Sequence, residues 1–432
     1  MKTHSIARNT LLILSTAAIA ACSLFARPRT ESGWINWDSS EGWSSDSVAY
    51  ETVESLGAGP MLEESDSAPH TAGDEAPRAE TGASQAPNLR AGSVDDNAEW
   101  DDYLLYRQQF IQWGIPVHDL DVSERHVITI RDQNGLPVLG ASVRIHRPQG
   151  GTVAELQTTS SGQVLFFPAV YGLEETETFV IEVEKDGQST SQEADRTSRA
   201  HFVMLTADGE QQAIRIDVHF LIDATGSMSD EILQLKENMI RIAESIQDLN
   251  PDMDVRYGMT VYRDRGDAFV SRTLEFTPDV SQFVDELSAV MASGGGDYPE
   301  SLNEGLHDAL HLPEWRSGDC IRLIFLIADA PPHLDYGNDY DYAEEVLYAA
   351  EMGIKIFPLA SSGLDDQGEY IFRQLAQISG GKFLFLTYGA GGAPGDDTTH
   401  HVEDYSVLSL DQLVLRMIEE ELDNLSKTVS PW

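Results

Sequence analysis

The feature that most constrains the fold is an apolar run at residues 214–222 that leads directly into Asp223, Thr225 and Ser227. The run is rich in branched residues, and a Gly/Ser turn and a strongly periodic helix follow it. This order is typical of a buried parallel strand that feeds an α/β layer. In such sheets, ligands bind in the crevice beyond the carboxyl ends of the strands. The sequence therefore predicts a binding edge at Asp223.

Strand and helix patterns alternate from residue 212 to residue 426. The first helix carries an apolar stripe at three- and four-residue spacing, which includes Ile232, Leu235 and Met239. Such a stripe faces a sheet. Alternation of this kind predicts a doubly wound, mostly parallel α/β sheet over residues 212–426.

Two later segments place acidic side chains at the same edge. Three glycines at 294–296 lead into Asp297 ahead of a helix, and the apolar strand 321–328 ends at Asp329. Carboxylate and hydroxyl oxygens are the ligands that Mg²⁺ and similar ions take. The alternative is that Asp223, Thr225 and Ser227 only cap the first helix, as these residue types often do.

With these motifs in place, residues 212–426 resemble a von Willebrand factor A domain with a metal-ion-dependent adhesion site. Asp223, Thr225 and Ser227 match the D-x-S/T-x-S element of that family, and Asp329 matches its closing Asp. Asp297 stands where the family has a Thr. The resemblance implies that these five residues hold Mg²⁺, with Mn²⁺ or Ca²⁺ as alternatives, and that a protein partner presents a carboxylate to the ion. A third carboxylate should hold the ion more tightly and make it less electrophilic.

Two more residues lie near this edge in the sequence. Asp264 follows a predicted strand, and it is expected either beside the ion without binding it directly or as a turn or ion-pair residue. His333 follows two prolines close to Asp329. An exposed surface histidine is the default expectation for it, and the alternative is a residue that shapes the rim of the site.

The amino-terminal segment predicts export. Residues 1–22 have a basic start and an apolar core too short to span a membrane, and they end in Cys22. The end of the segment resembles the bacterial lipobox, which implies lipidation of Cys22. Ser23 resembles the pattern of outer-membrane lipoproteins, so a cell-envelope protein attached to the outer membrane is expected. An ordinary secretory signal cut near Ala21 is the alternative.

Residues 23–103 are rich in Ser, Glu, Asp, Ala, Pro and Gly, and this composition predicts a disordered acidic linker. The whole chain has 28 basic and 72 acidic residues, a formal net charge of −44. Such a charge argues against nucleic acid and against anionic membrane surfaces as partners. Membrane association is therefore expected only through the lipid anchor.

Residues 104–208 predict a helix followed by a small, all-β antiparallel sandwich. Short alternating strands are separated by turn signals such as Asn134 followed by Gly135. The stretch 132–143 resembles the carboxypeptidase-regulatory-like β-domain family. That resemblance implies a structural spacer.

Three functions fit these patterns. The leading hypothesis is a lipid-anchored protein that binds a protein partner through the metal, without enzymatic activity. The alternatives are an envelope protein whose ion only stabilises the fold and a metal-dependent hydrolase. No P-loop, H-E-x-x-H or G-x-S-x-G motif occurs in the sequence to favour catalysis.

Overall fold

The structure, a computed structural model, describes most of the chain from residue 89 onward and one short strand before it. The described residues are 34–37, 89–173, 178–206, 213–250, 252–387, 400–402 and 405–428. The expected signal segment 1–22 with Cys22 and most of the expected linker lie outside the described residues. Among the residues that are described, no helix combines the length and the apolar character needed to cross a membrane.

The regular elements within these ranges alternate as the sequence predicts from β10 onward. The strands are β1 (Trp34–Trp37), β2 (Arg90–Val94), β3 (His126–Arg131), β4 (Ser142–His146), β5 (Thr152–Gln157), β6 (Gln163–Phe166), β7 (Phe179–Lys185), β8 (Gln188–Ala194), β9 (Ala200–Met204), β10 (Arg215–Asp223), β11 (Asp254–Tyr262), β12 (Ser271–Thr277), β13 (Ile321–Ala328), β14 (Ile354–Ala360), β15 (Phe383–Thr387) and β16 (Ser406–Ser409). The helices are α1 (Trp100–Trp113), α2 (Ser229–Leu249), α3 (Val280–Ala289), α4 (Leu302–His311), α5 (Tyr342–Glu351), α6 (Asp366–Ser379) and α7 (Leu410–Asn424).

The larger sheet has the strand order β1-β12-β11-β10-β13-β14-β15-β2-β16. The five central strands, from β11 to β15 in that order, run parallel, and the outer strands pair antiparallel. The central strands β10, β13 and β14 are buried along nearly their whole length because both faces of the sheet are covered. Helices α2, α3 and α7 pack on one face, and α1, α4, α5 and α6 pack on the other. The prediction of a doubly wound, mostly parallel α/β fold is confirmed for this region.

The prediction of a disordered linker over residues 23–103 is wrong for the part of that range that the structure describes. Strand β1 pairs with β12, and β2 lies between β15 and β16 with Ala91 fully buried. Helix α1 packs on α6, where Phe110 stacks on Tyr370 with ring centroids 4.1 Å apart. Strand β2 consists mostly of small residues and is stabilised by backbone pairing on both sides. Composition alone does not predict such a strand. The α/β domain therefore includes residues 89–113, and the boundary expected at residue 104 falls inside α1.

The smaller domain is a two-layer β-structure. Its sheets have the orders β6-β3-β9 and β5-β4-β7-β8, with a core between them that includes Ile128, Val143 and Phe179. Two points differ from the sequence prediction. Strands β3 and β9 pair parallel, so the structure is not purely antiparallel. Strand β8 is polar along most of its length, so an alternating apolar pattern does not reveal it.

The β-domain contacts the α/β domain at the amino ends of the parallel strands. Glu421 of α7 accepts hydrogen bonds from Ser160 of the β-domain at 2.6 Å and from Lys355 of β14 at 2.7 Å. Arg322 at the start of β13 donates to Gln157 at 3.0 Å. The carboxyl ends of the same strands, where Asp223 lies, are at the opposite edge of the sheet.

Candidate metal centre

Two adjacent parallel strands bring Asp223 and Asp329 to one edge. Asp223 is the last residue of β10, and Asp329 directly follows β13. These strands are paired in parallel, with Ile222 opposite Ile327. The two carboxylates therefore leave the sheet side by side at its carboxyl edge, as the sequence predicts.

Hydrogen bonds join four of the predicted residues into one set. Both the backbone N–H and the hydroxyl of Thr225 donate to Asp223 Oδ1, at 2.8 and 2.6 Å. The Thr225 and Ser227 hydroxyl oxygens are 3.1 Å apart, and Ser227 donates to Asp329 Oδ1 at 3.1 Å. We call Asp223, Thr225, Ser227 and Asp329 the Asp223 set. The alternative that these hydroxyls only cap α2 is not favoured, since α2 has no side-chain cap hydrogen bond.

The Asp223 set has an excess of negative charge. Burial, followed by the nearby charge of Asp329, raises the pKa of Asp223 to about 7. Burial also raises the pKa of Asp329. Asp223 Oδ2 is buried and accepts no hydrogen bond of regular geometry among the described residues, although the nearby Tyr262 hydroxyl lowers the pKa of Asp223. A divalent cation would give this oxygen a partner and would offset the charge of the neighbouring Asp329. The oxygen atoms of the Asp223 set therefore fit an ion with oxygen ligands.

Glu300 is a further buried carboxylate at this edge, and it was not assigned from the sequence. Its side chain is 3% exposed, and its Oε2 has no hydrogen-bond partner among the described residues. Burial and then the charges of Asp223, Asp264 and Asp329 raise its pKa to about 9. The available signal was an acidic residue directly after Pro299 at the start of a helix, between the glycine run and the apolar stripe.

The glycine run packs against both the Asp223 turn and Glu300. Gly294 and Gly295 have φ values of 86° and 75°, in the left-handed region that favours glycine. Gly226 donates its N–H to the Gly294 carbonyl at 2.9 Å. A Cβ at Gly295 would lie 2.6 Å from Glu300 Oε1. Glycine at 295 thus allows this loop to close over the carboxylates.

Asp297 was predicted to join the Asp223 set, but the structure brings it to a different cluster. The side chain is exposed, and its carboxylate lies with Asp264 and His333, whose candidate ligand atoms are all within 4.8 Å of one another. Asp264 is 5% exposed and accepts a hydrogen bond from Ser301 Oγ at 3.0 Å. We call Asp264, Asp297 and His333 the His333 cluster.

The expectation that His333 is exposed is wrong, because its side chain is 3% exposed. The two prolines before it direct the chain back over the sheet edge, where the N–H of His333 donates to the Glu300 carbonyl at 3.2 Å. The ring also stacks on Tyr336, with centroids 3.9 Å apart.

Comparison with known proteins identifies the family of the α/β domain. Residues 217–388 match the family model of the von Willebrand factor A domain. The chain is similar to the alpha-protein kinase vwkA of Dictyostelium discoideum, with 29% identity over 160 residues, 36% of this chain and 25% of that protein. It is also similar to the putative ariadne-like RING finger protein R811 of Acanthamoeba polyphaga mimivirus, with 24% identity over 193 residues, 41% of this chain and 19% of that protein.

The chain thus spans about a quarter or less of the length of these relatives. The matched range nevertheless contains the whole Asp223 set, Glu300 and the His333 cluster. Domains of this family commonly mediate protein interactions. Residues 217–388 of this chain are a von Willebrand factor A domain.

Proposed function

We propose that the von Willebrand factor A domain binds a protein partner through a divalent cation held by the Asp223 set. The observation that carries this proposal is the convergence of two carboxylates and two hydroxyls on one hydrogen-bonded edge. Within the described part of the chain, Asp223 Oδ2 is buried and accepts no hydrogen bond of regular geometry. Mg²⁺ is the expected ion, and Mn²⁺ or Ca²⁺ would suit the same oxygen donors.

Each residue of the set has a distinct part. Asp223, Ser227 and Asp329 would hold the ion with side-chain oxygens, and Thr225 fixes the Asp223 carboxylate through its two hydrogen bonds. Buried Glu300 lies beside the set, and its raised pKa means that it holds a proton near neutral pH and would supply negative charge only once an ion is bound. The ion supplies a concentrated positive charge to which a carboxylate of the partner binds. On a chain with a net charge of −44, such an ion provides a local attraction for an acidic side chain.

The proposed location is the cell envelope. It rests on the sequence of residues 1–22, in which Cys22 is the expected lipidation site of an outer-membrane lipoprotein. The β-domain is proposed to act as a spacer, because it contacts the α/β domain at the amino ends of the strands and leaves the Asp223 edge uncovered. Binding rather than catalysis is proposed, and nucleic acid is not an expected partner.

A second candidate function is that of a structural envelope protein, in which the ion at the Asp223 set only stabilises the fold. The buried position of Asp223 favours it, since any cation there would relieve the repulsion between Asp223 and Asp329 whether or not a partner binds. The two functions differ in what the loss of the ion does to partner capture.

The test is a pull-down from envelope extract with the full chain, in Mg²⁺ and again in EDTA, with the bound proteins identified by mass spectrometry. We expect a partner that is captured only with Mg²⁺ and is lost in Asp223→Asn. The matched control is Asp285→Asn, which changes an exposed carboxylate on α3 and should capture the partner normally. Partners that are the same in Mg²⁺ and EDTA would contradict the proposal and favour the stabilising ion.

A further inference from the structure

The two ring nitrogens of His333 have different surroundings in the described part of the chain. Nδ1 lies 2.8 Å from Asp335 Oδ1, and a carboxylate accepts a hydrogen bond, so Nδ1 carries the proton. Nε2 is buried and has no hydrogen-bond partner among the described residues. In the neutral ring, Nε2 therefore presents a lone pair to its surroundings.

That lone pair faces negative charge. Asp264 Oδ1 is 3.6 Å from Nε2, too far for a hydrogen bond, and the Asp297 carboxylate completes a group within 4.8 Å. None of the residues of the Asp223 set belongs to this group. A lone pair beside two carboxylates is stable only if a proton or a cation lies between them.

The surroundings hold these donors in place. Asp264 accepts hydrogen bonds from Ser301 Oγ at 3.0 Å and from the Tyr336 hydroxyl at 3.1 Å. The Tyr336 ring also stacks on His333, with 13° between the ring planes. A histidine whose other nitrogen donates to a carboxylate is the usual arrangement of a metal-binding histidine, because that hydrogen bond fixes the tautomer and the ring orientation.

We propose that Asp264, Asp297 and His333 form a second divalent-cation site, separate from the Asp223 set. One imidazole nitrogen and two carboxylates suit Mn²⁺, Fe²⁺ or Zn²⁺ better than Ca²⁺ or Mg²⁺. Asp297 is exposed, so an ion can enter from solvent and keep open positions for water. The site goes beyond the proposed function because it requires neither a partner nor an ion at Asp223.

The test loads the metal-free full chain with Mn²⁺ alone and measures bound ions by equilibrium dialysis. Electron spin-echo spectroscopy then detects ¹⁴N coupled to the bound Mn²⁺. We expect nitrogen coupling in the wild type. His333→Ala should lose one bound Mn²⁺ per chain together with that coupling. Asp223→Asn should also lose one bound ion but keep the coupling, because the Asp223 set contains no nitrogen ligand.

Two further variants make the result decisive. Asp297→Ala removes an exposed side chain, so it should fold normally and weaken the nitrogen-coupled ion by about tenfold or more. His307, His311 and Glu345 form another group of possible metal ligands. The double variant His307→Ala, His311→Ala removes both histidines of that group and should leave the nitrogen coupling unchanged. Nitrogen coupling that persists in His333→Ala, or that is lost only in the double variant, would overturn the proposal.

An absence of nitrogen coupling in the wild type would also overturn it and would favour a protonated His333 paired with Asp264 and Asp335. An Mn²⁺ count that Asp223→Asn leaves unchanged would contradict the proposed ion at the Asp223 set instead. The failure of one site is therefore distinguishable from the failure of the other.

Discussion

Three buried carboxylates decide the chemistry of the sheet edge at the scale of single residues. Asp223 and Glu300 both have raised pKa values, and the causes in both cases are burial followed by neighbouring negative charge. No basic side chain among the described residues is a principal cause of either shift. The third, Asp329, contributes to both. Such a group of carboxylates binds protons or a cation, and near neutral pH a divalent cation neutralises it most effectively.

The glycine at 295 provides a prediction at this scale. Gly295→Ala should destabilise the protein by about 2–4 kcal/mol, because a left-handed alanine is strained and its Cβ would collide with Glu300. Gly114→Ala is the matched control, with a φ of 71° and no atom of the described residues within 4 Å of its Cβ, and it should cost only about 1–2 kcal/mol. Urea unfolding measures both changes. Equal losses in the two variants would mean that contact with Glu300 has no part in the conformation of the loop.

The sequence predicted some site residues well and others poorly, for a physical reason. Asp223 and Asp329 terminate apolar strands, so strand pairing alone brings them together. Glu300 and His333 reach the edge only because the segment after Asp329 folds back onto the start of α4. Hydrophobic periodicity does not predict the path of such an irregular segment. The expectation that His333 is exposed, which rested on the usual behaviour of histidine, was therefore wrong.

The same contrast holds at the scale of secondary-structure elements. Strands β10 and β13 are rich in large apolar residues, and this local pattern predicts that they are buried strands. Strand β2 has the sequence Arg-Ala-Gly-Ser-Val, and β8 is mostly polar. Both owe their place to backbone pairing with neighbours far along the chain, which a local pattern does not reveal.

Helices α4 and α5 are joined by a cluster that predicts a pH dependence. His307 Nδ1 and His311 Nε2 each lie 2.8 Å from a carboxylate oxygen of Glu345. Burial would raise the pKa of Glu345, but these hydrogen bonds outweigh burial and lower it to about 2. Because the folded pKa is lowered, the stabilisation is complete above pH 4.5 and is lost as the pH falls towards 2.

Glu345→Gln should remove this contribution. Between pH 5 and pH 2.5, the wild type should lose up to about 3 kcal/mol more unfolding free energy than the variant. Chemical denaturation at a series of pH values measures the difference. Parallel curves for the two proteins would show that Glu345 does not stabilise the contact between α4 and α5.

The two ends of the α/β domain have different roles at the scale of the whole molecule. The β-domain covers the amino ends of the parallel strands, and both groups of candidate metal ligands lie at the carboxyl ends. The whole chain has a formal net charge of −44. The central claim is that the Asp223 set holds a divalent cation, since both proposed roles of the ion depend on it.

The most direct measurement of that claim is thermal unfolding of the full chain with and without Mg²⁺, for the wild type, Asp223→Asn and Asp285→Asn. At an ion concentration 100 times the dissociation constant, binding stabilises the folded state by about 2.7 kcal/mol. For a domain of this size, we expect Mg²⁺ to raise the Tm of the wild type and of Asp285→Asn by about 5–10 °C.

Asp223→Asn should behave differently in two respects. Without Mg²⁺ it should be at least as stable as the wild type, because it removes the repulsion between Asp223 and Asp329. With Mg²⁺ its Tm should not change. A wild-type Tm that does not respond to Mg²⁺, or an equal response in Asp223→Asn, would contradict the account.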